Sequence, residues 1–363
     1  MAHFQRLKIE DVRRETADCV SIAFHIPPEL REAFRYSQGQ NITVRTFVAG
    51  MEVRRSYSIC SSPLDVELRI AVKKVPGGQF STFANEVLQP GHELEVLTPS
   101  GKFYTELRPE NQKRYLAFAA GSGITPVISL IKTTLAVEPQ SHFTLVYGNR
   151  HRPSIIFRDQ LEALKNRYMQ RLALHHILSR EEMDIPLYQG RIDADKCREL
   201  CDGVIDLSST DEVYLCGPEE MIFTVRDWLE QQGVEKKKIH FELFHPLDKT
   251  GIATRERQTS PENGAAATEK TSQVTVRLDG INHVFNLPFE GASILDAALY
   301  EGVDLPFACK GGVCCTCRAR LTEGQVEMDL NYALEADELA AGFILTCQSH
   351  PRSPKVTVDF DSK

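Results

Sequence analysis

The sequence predicts a multidomain chain that joins an antiparallel β-barrel, an α/β domain on a parallel sheet and a small α+β domain. Three observations predict it. The rhythm of apolar segments changes twice along the chain, a stretch nearly free of large apolar side chains precedes the last part, and four cysteines crowd a short loop near the C-terminus.

Residues 1–110 carry short strand-like runs, VSIAFHI, NITVRTF, RRSYSIC and VELRIAVKKV, set apart by Pro, Gly, Ser and Asn. Regular short strands of this kind suit a barrel, with FSTFANEVL as one helix within it. Residues 111–248 alternate instead. RYLAFAAG stops at Gly121, TPVISLIKTTL reads as a helix, and HFTLVYGN, IIFRDQLEALKNRY, RLALHHIL, EVYLCGP and EEMIFTVRDWLEQQ continue the alternation. Strands apolar on both faces and separated by helices predict a covered parallel sheet. Residues 249–272 hold one large aliphatic residue and no aromatic, which is too little to bury, so they read as a linker that tethers the C-terminal domain. Residues 273–363 open with a hairpin turning at Asp279-Gly280 and a helix, SILDAALYEG, capped by Ser293 and ended by Gly302.

With 363 residues, 42% hydrophobic and 25% charged, the chain has the composition of a soluble globular protein. No apolar run approaches the roughly 18 residues a membrane span needs, and the first residues are charged where a secretory peptide is apolar. The expectation is a cytoplasmic protein with no membrane partner. The net charge is −8, and the part from Val274 onward, with 13 acidic and 7 basic residues, carries −6 of it. An acidic C-terminal domain argues against nucleic acid and suits a basic patch on a protein partner.

The cysteine pattern is Cys309-x4-Cys314-x2-Cys317, then 29 residues, then Cys347. That spacing is the plant-type signature of a 2Fe–2S cluster. Gly311 and Gly312 give the loop bare N–H groups and tolerance for positive φ. Zinc also takes four thiolates, but its sites usually pair as C-x2-C…C-x2-C. Cys315 lies off the spacing and reads as a neighbour rather than a ligand. The segment resembles the plant-type ferredoxin (β-grasp) fold, through the loop, the helix before it and LTCQSHP around Cys347.

Three further motifs ask what feeds such a cluster. Arg55-x-Tyr57-Ser58 offers a cation for a pyrophosphate, an aromatic face for an isoalloxazine and a hydroxyl near its N5. Gly77-Gly78 stands ahead of a helix, an anion site to which Ser81 adds a hydroxyl. The two motifs in this order resemble the ferredoxin–NADP reductase superfamily, where matching residues hold FAD. Gly121-x-Gly123-x-x-Pro126 follows a strand and opens a helix, so a dinucleotide can approach the backbone; it is not the G-x-G-x-x-G of the common dehydrogenases. In the resembled superfamily this loop receives the nicotinamide, with Thr125 close to the ring, and Cys216-Gly217-Pro218 brings a thiol beside it. Ser179-Arg180 matches a 2′-phosphate site and favours NADPH over NADH, although Glu181 and Glu182 offer carboxylates to a ribose. Glu242 and Phe244 match a carboxylate and an aromatic near flavin and nicotinamide.

The layout resembles the reductase components of multicomponent oxygenases, through KKVPGGQFSTFANEVL, CKGGVCCTCRARLTEG and VEMDLNYALEADELAAGFILTCQ. The resemblance implies that a hydride from NADPH enters FAD and that electrons leave singly through the cluster to a di-iron oxygenase subunit. A ring hydroxylase, a desaturase or a hybrid-cluster protein would use the same motifs. A redox sensor or carrier that binds cofactors without turnover, or a zinc module, would need fewer of them.

Overall fold

In the computed structural model residues 4–244 and 270–362 are described, and among them no helix is long and apolar enough to cross a membrane. The described residues form two compact units. One comprises Phe4–Val53 and Tyr57–Phe244, the other Arg54–Ser56 and residues 270–362.

The first sheet has six strands, β1 (Gln5–Thr16), β2 (Cys19–His25), β3 (Asn41–Val48), β4 (Met51–Ser58), β5 (Leu68–Lys73) and β6 (Glu93–Val96), in the order β4-β3-β6-β1-β2-β5. Pairings of β1 with β2 and β6, β2 with β5 and β3 with β6 are antiparallel. An antiparallel bridge between Ile59 and Ile70 draws the end of β4 onto β5, so the two edges of the sheet meet and the barrel closes. Alternating residues such as Leu7 and Ile9 of β1 fill its core, while the charged residues between them face water. Helix α1 (Gln79–Glu86) packs Phe80 and Ala84 into that core.

The second sheet is parallel throughout, with strands β7 (Arg114–Ala120), β8 (His142–Asn149), β9 (Leu172–Leu178), β10 (Glu212–Gly217) and β11 (Ile239–Leu243) in the order β11-β10-β7-β8-β9. Its helices are α2 (Ile124–Val137), α3 (Arg158–Arg167), α4 (Ala194–Gly203) and α5 (Glu219–Gln231). From β7 the chain winds one way through β8 and β9 and the other way through β10 and β11. A parallel sheet of this kind has its crevice where the winding reverses, between β7 and β10 at their C-terminal ends. Two expectations need adjustment. Helix α3 starts at Arg158 rather than Ile155, because Phe157 adopts a left-handed φ of 59° and leaves Ile155 and Ile156 as buried residues of the preceding loop. Helix α4 was not foreseen, as its buried stripe is only Lys196, Cys197 and Leu200.

The other unit holds β12 (Thr271–Leu278), β13 (Ile281–Pro288), α6 (Ile294–Tyr300), β14 (Arg318–Glu323), β15 (Val326–Met328), α7 (Ala336–Ala340), β16 (Phe343–Leu345), β17 (Ser349–Pro351) and β18 (Lys355–Asp359). Its main sheet runs β13-β12-β18-β14-β16, with β12 and β18 parallel and the other pairs antiparallel, and α6 covers it. The β12–β13 turn has positive φ at Asp279 (54°) and Gly280 (74°), as a tight hairpin of this twist requires. The cap on α6 is as expected, with Ser293 Oγ accepting from Asp296 N at 3.2 Å. The linker expected over 249–272 lies outside the described residues as far as 269. Its last residues are corrected: Thr271 pairs with Pro288 and Ser272 with Leu287, so β12 begins two residues before the expected boundary.

Candidate functional site

Four chain segments meet at the crevice of the parallel sheet. Gly121 ends β7 at φ +54°, and its carbonyl accepts from Tyr147 OH of β8 at 2.9 Å. Gly123 lies so close to the end of β10 that a Cβ built there would stand 2.0 Å from the carbonyl oxygen of Cys216. Any side chain at Gly123 would therefore force the strand end and helix α2 apart. Gly217 is similarly confined, with Ala120 backbone 3.2 Å from its would-be Cβ. Pro218 caps α5, and Pro126 sits in the first turn of α2, where its missing N–H costs no hydrogen bond. Both glycines are thus places where backbone packs on backbone at the C-terminal ends of β7 and β10, the proposed nicotinamide slot.

Cys216 is fully buried, and it pairs across the sheet with Glu242 of β11. Burial, reinforced by the Glu242 charge, pushes its thiol well above the usual range, so it stays neutral and protonated. Glu242 reaches the barrel as well: its Oε2 accepts from Ser58 Oγ at 2.8 Å. One carboxylate therefore joins the end of β4 to the ends of β10 and β11. Thr125 is buried, and its hydroxyl donates to Ser122 O at 3.0 Å, so it shapes the loop rather than projecting from it. Phe244, just beyond β11, is 37% exposed.

On the barrel side, Tyr57 is half-buried and its ring lies 5.4 Å from that of Phe80 at 37°. Arg55 sits two residues earlier on β4, and its Nη1 donates to Arg54 O at 2.8 Å. Gly77, at φ +76°, and Gly78, the N-cap of α1, line a cavity of about 380 Å³ with Val48, Gln79, Thr82 and Phe83. A Cβ at Gly78 would stand 2.5 Å from Ser81 Oγ. Gly78 N donates to Val75 O at 3.0 Å, and the helix start that follows, beside such a cavity, fits a flavin pyrophosphate. Ser81 is turned away from this role: its Oγ accepts from Val75 N at 3.1 Å and donates to Gly78 O at 3.3 Å.

At the far end of the crevice, β8 and β9 run on past their pairing. Ser179 N donates to Asn149 O at 2.9 Å and Arg180 N to Arg150 O at 2.8 Å, which sets Arg150 and Arg180 on adjacent strand ends. Both side chains are exposed. Glu181 is engaged elsewhere, its carboxylate accepting from Arg152 N at 2.7 Å, while Glu182 is exposed. Arg150 was missed by sequence reasoning. The signal was there, since a strand neighbouring the Ser179-Arg180 strand ends one residue before it.

In the other unit the cysteine loop runs between α6 and β14. Its thiols are paired two and two. Cys309 shares a hydrogen bond with Cys314, and Cys317 with Cys347. Those bonds hold Cys314 down to about 6 and Cys347 below its usual value, and raise their partners, which burial raises further. Among the described residues no three metal-binding side chains converge on one ion-sized point. Four cysteine thiolates in two pairs fit the ligand set of a 2Fe–2S cluster. N–H groups point at the sulfurs: Gly311 N donates to Cys309 Sγ at 3.3 Å, and Gln348 Nε2 lies 3.8 Å from Cys347 Sγ. Gly312 has φ +74°, and its would-be Cβ meets Leu330 O at 2.9 Å. Gly311 does not need positive φ; Lys310 (51°) and Cys315 (54°) adopt it instead. The Cys315 thiol donates to Ala333 O at 3.4 Å, away from the other four.

Comparison with known proteins gives three domain families along the chain. Residues 6–104 match the oxidoreductase FAD-binding domain, residues 118–227 the oxidoreductase NAD-binding domain and residues 276–352 the 2Fe-2S iron-sulfur cluster binding domain. The chain is 44% identical to a subunit of the 1,2-phenylacetyl-CoA epoxidase of Escherichia coli (strain K12), over 100% of this chain and 99% of that one. It is 34% identical to the ferredoxin reductase component of 3-ketosteroid-9-alpha-monooxygenase of Rhodococcus rhodochrous, over 98% and 96%. Among solved structures, phthalate dioxygenase reductase shares the fold across 98% of both chains, with a TM-score of 0.56 at 24% identity.

Proposed function

Since the chain belongs to the family of oxygenase reductase components that unite FAD-binding, NAD-binding and 2Fe-2S domains, we propose that it supplies electrons from NADPH to the di-iron oxygenase of a phenylacetyl-CoA epoxidase. As an oxidoreductase of this family it passes electrons from a pyridine nucleotide through FAD to a 2Fe–2S cluster. Bound FAD supplies the ability to accept a hydride and release electrons one at a time. The protein's own groups do the rest.

The observation that carries the hydride step is the Ser58–Glu242 hydrogen bond beside buried Cys216. It joins the strand of the flavin motif to the crevice of the nicotinamide motif. Gly121 and Gly123 admit the ring, and Cys216, kept neutral, lies beside it without placing a charge against it. Tyr57 would cover a face of the bound flavin, Ser58 would offer its hydroxyl near the ring, and Arg55 with the Gly77-Gly78 turn would hold the pyrophosphate. Arg150, Ser179 and Arg180 form a fork for a 2′-phosphate, and this carries the preference for NADPH. Cys309, Cys314, Cys317 and Cys347 hold the cluster.

The choice of acceptor follows the full-length similarity to the epoxidase relative. Reconstitution tests it. The purified protein with NADPH and the epoxidase's oxygenase subunits should form the epoxide of phenylacetyl-CoA. Brisk cytochrome c reduction without epoxide would assign another acceptor, such as a ring-hydroxylating oxygenase, a desaturase or a hybrid-cluster protein. Equal turnover with NADH would remove the nucleotide preference.

A further inference from the structure

Hydride transfer is sensitive to placement: reacting atoms must come within about 3–3.5 Å, and a misplacement of about 1 Å costs on the order of a hundredfold. Here the proposed flavin residues and the nicotinamide slot stand on different sheets. Their separation is set by whatever ties the barrel to the parallel sheet near the site.

Beside the Ser58–Glu242 bond and apolar packing, that tie includes a set of buried hydroxyls. Ser129, one helical turn past Thr125 on α2, is 0% exposed, and its Oγ donates to Ser61 O at 2.6 Å. Ser61 lies three residues past Ser58. One turn further along α2, Thr133 Oγ1 donates to Ser129 O at 2.7 Å and lies 2.9 Å from Ser62 Oγ. Tyr36 OH secures the barrel side, donating to Ser62 O and meeting Ser61 Oγ, each at 2.8 Å. Lys132 and Asp65 close the row as an ion pair.

A buried hydroxyl is costly unless it is bonded, and of the four that α2 buries, Thr125, Ser129, Thr133 and Thr134, Ser129 and Thr133 are bonded across to the barrel. Apolar contact would hold the helix to the barrel as firmly, but it would let the helix slide or rotate. Directional bonds at two successive turns fix both register and rotation. We infer that Ser129 and Thr133 are positioning residues that set the distance between flavin and nicotinamide by pinning the slot-forming helix to the loop after the flavin strand. The inference rests on the hydride step proposed above.

The test uses the full holoprotein and compares the unsubstituted chain with Thr133→Val, Thr133→Ser and Ser129→Ala. Valine keeps the volume of threonine and removes both bonds; serine restores a hydroxyl. Flavin reduction by NADPH is followed by rapid mixing, together with the long-wavelength absorbance of the flavin–nicotinamide pair and the melting temperature of each variant. Thr133→Val and Ser129→Ala should each lower the limiting reduction rate about tenfold. They should weaken the long-wavelength band and leave half-saturation by NADPH within about twofold, with Thr133→Ser close to the unsubstituted protein. A lower melting temperature with an unchanged limiting rate and band would overturn the inference, as would a serine variant as slow as the valine one. Should the valine variant fail to fold, the alanine variant and the serine variant decide in the same way. Failure of the unsubstituted protein to reduce its flavin with either nicotinamide would overturn the functional reading and this inference together.

Discussion

The crevice of the parallel sheet and the cysteine loop handle the same electrons in opposite ways. At the crevice, Ser58, Gly123, Cys216 and Glu242 come from four elements spread over 184 residues and are fixed by sheet register and backbone contact. In the loop, three of the four proposed ligands lie within nine residues, and only Cys347 comes from elsewhere. Moving a hydride is an atom transfer, so donor and acceptor must be aligned on rigid strand ends. Moving single electrons demands no such alignment, and a loop with partly buried Cys309 and Cys314 suffices. Precision is concentrated where an atom moves.

Four substitutions can break or sharpen that contrast. The largest effect belongs to Cys314→Ser in the loop. It should abolish the cluster's visible absorbance and bound iron and reduce electron delivery to the acceptor to background. Flavin reduction by NADPH should keep the unsubstituted rate, and a parallel loss of that rate would show the two regions to be interdependent. Next is Gly123→Ala. Its Cβ would meet Cys216 O at 2.0 Å, so the strand end must shift. Rapid-mixing rates of flavin reduction should fall about a hundredfold, with the cluster still present by absorbance. The smallest effect belongs to Arg150→Ala and Arg180→Ala. A charge-assisted hydrogen bond contributes about 1.5–3 kcal/mol, so each should raise KM for NADPH roughly tenfold or more while leaving KM for NADH unchanged in steady-state assays. Equal effects on both nucleotides would place the arginines at the shared pyrophosphate instead.

The same contrast explains what could be read from the sequence. The cysteine loop was legible because its spacing is itself the geometry, and the β12–β13 turn because Asp279-Gly280 specifies positive φ at two successive positions. Strand–helix alternation disclosed the parallel sheet, since each element is long and apolar. The Ser58–Glu242 contact was hidden, because no local pattern couples residues that far apart. Ser81 and Thr125 were foreseen by position, but their hydroxyls turn into their own loops, and side-chain direction at a turn depends on backbone detail that residue type does not carry. Strand β12 starts before the expected boundary because Thr271 and Ser272, polar enough to read as linker, are held by pairing with Pro288 and Leu287.

Burial of the remaining cysteines has an analytical use. Cys19 and Cys197 are buried thiols pushed up to about 12, and Cys60 and Cys216 are fully enclosed. Thiols of that kind are nearly inert to alkylation at neutral pH. In the folded chain, reagent uptake therefore falls on Cys201 of α4 and on the loop, where Cys309, Cys314 and Cys315 are partly accessible. Iron bound there would shield its ligands, so the stoichiometry of labelled cysteines reports the fraction of molecules that lack their cluster, without any spectroscopy of the iron.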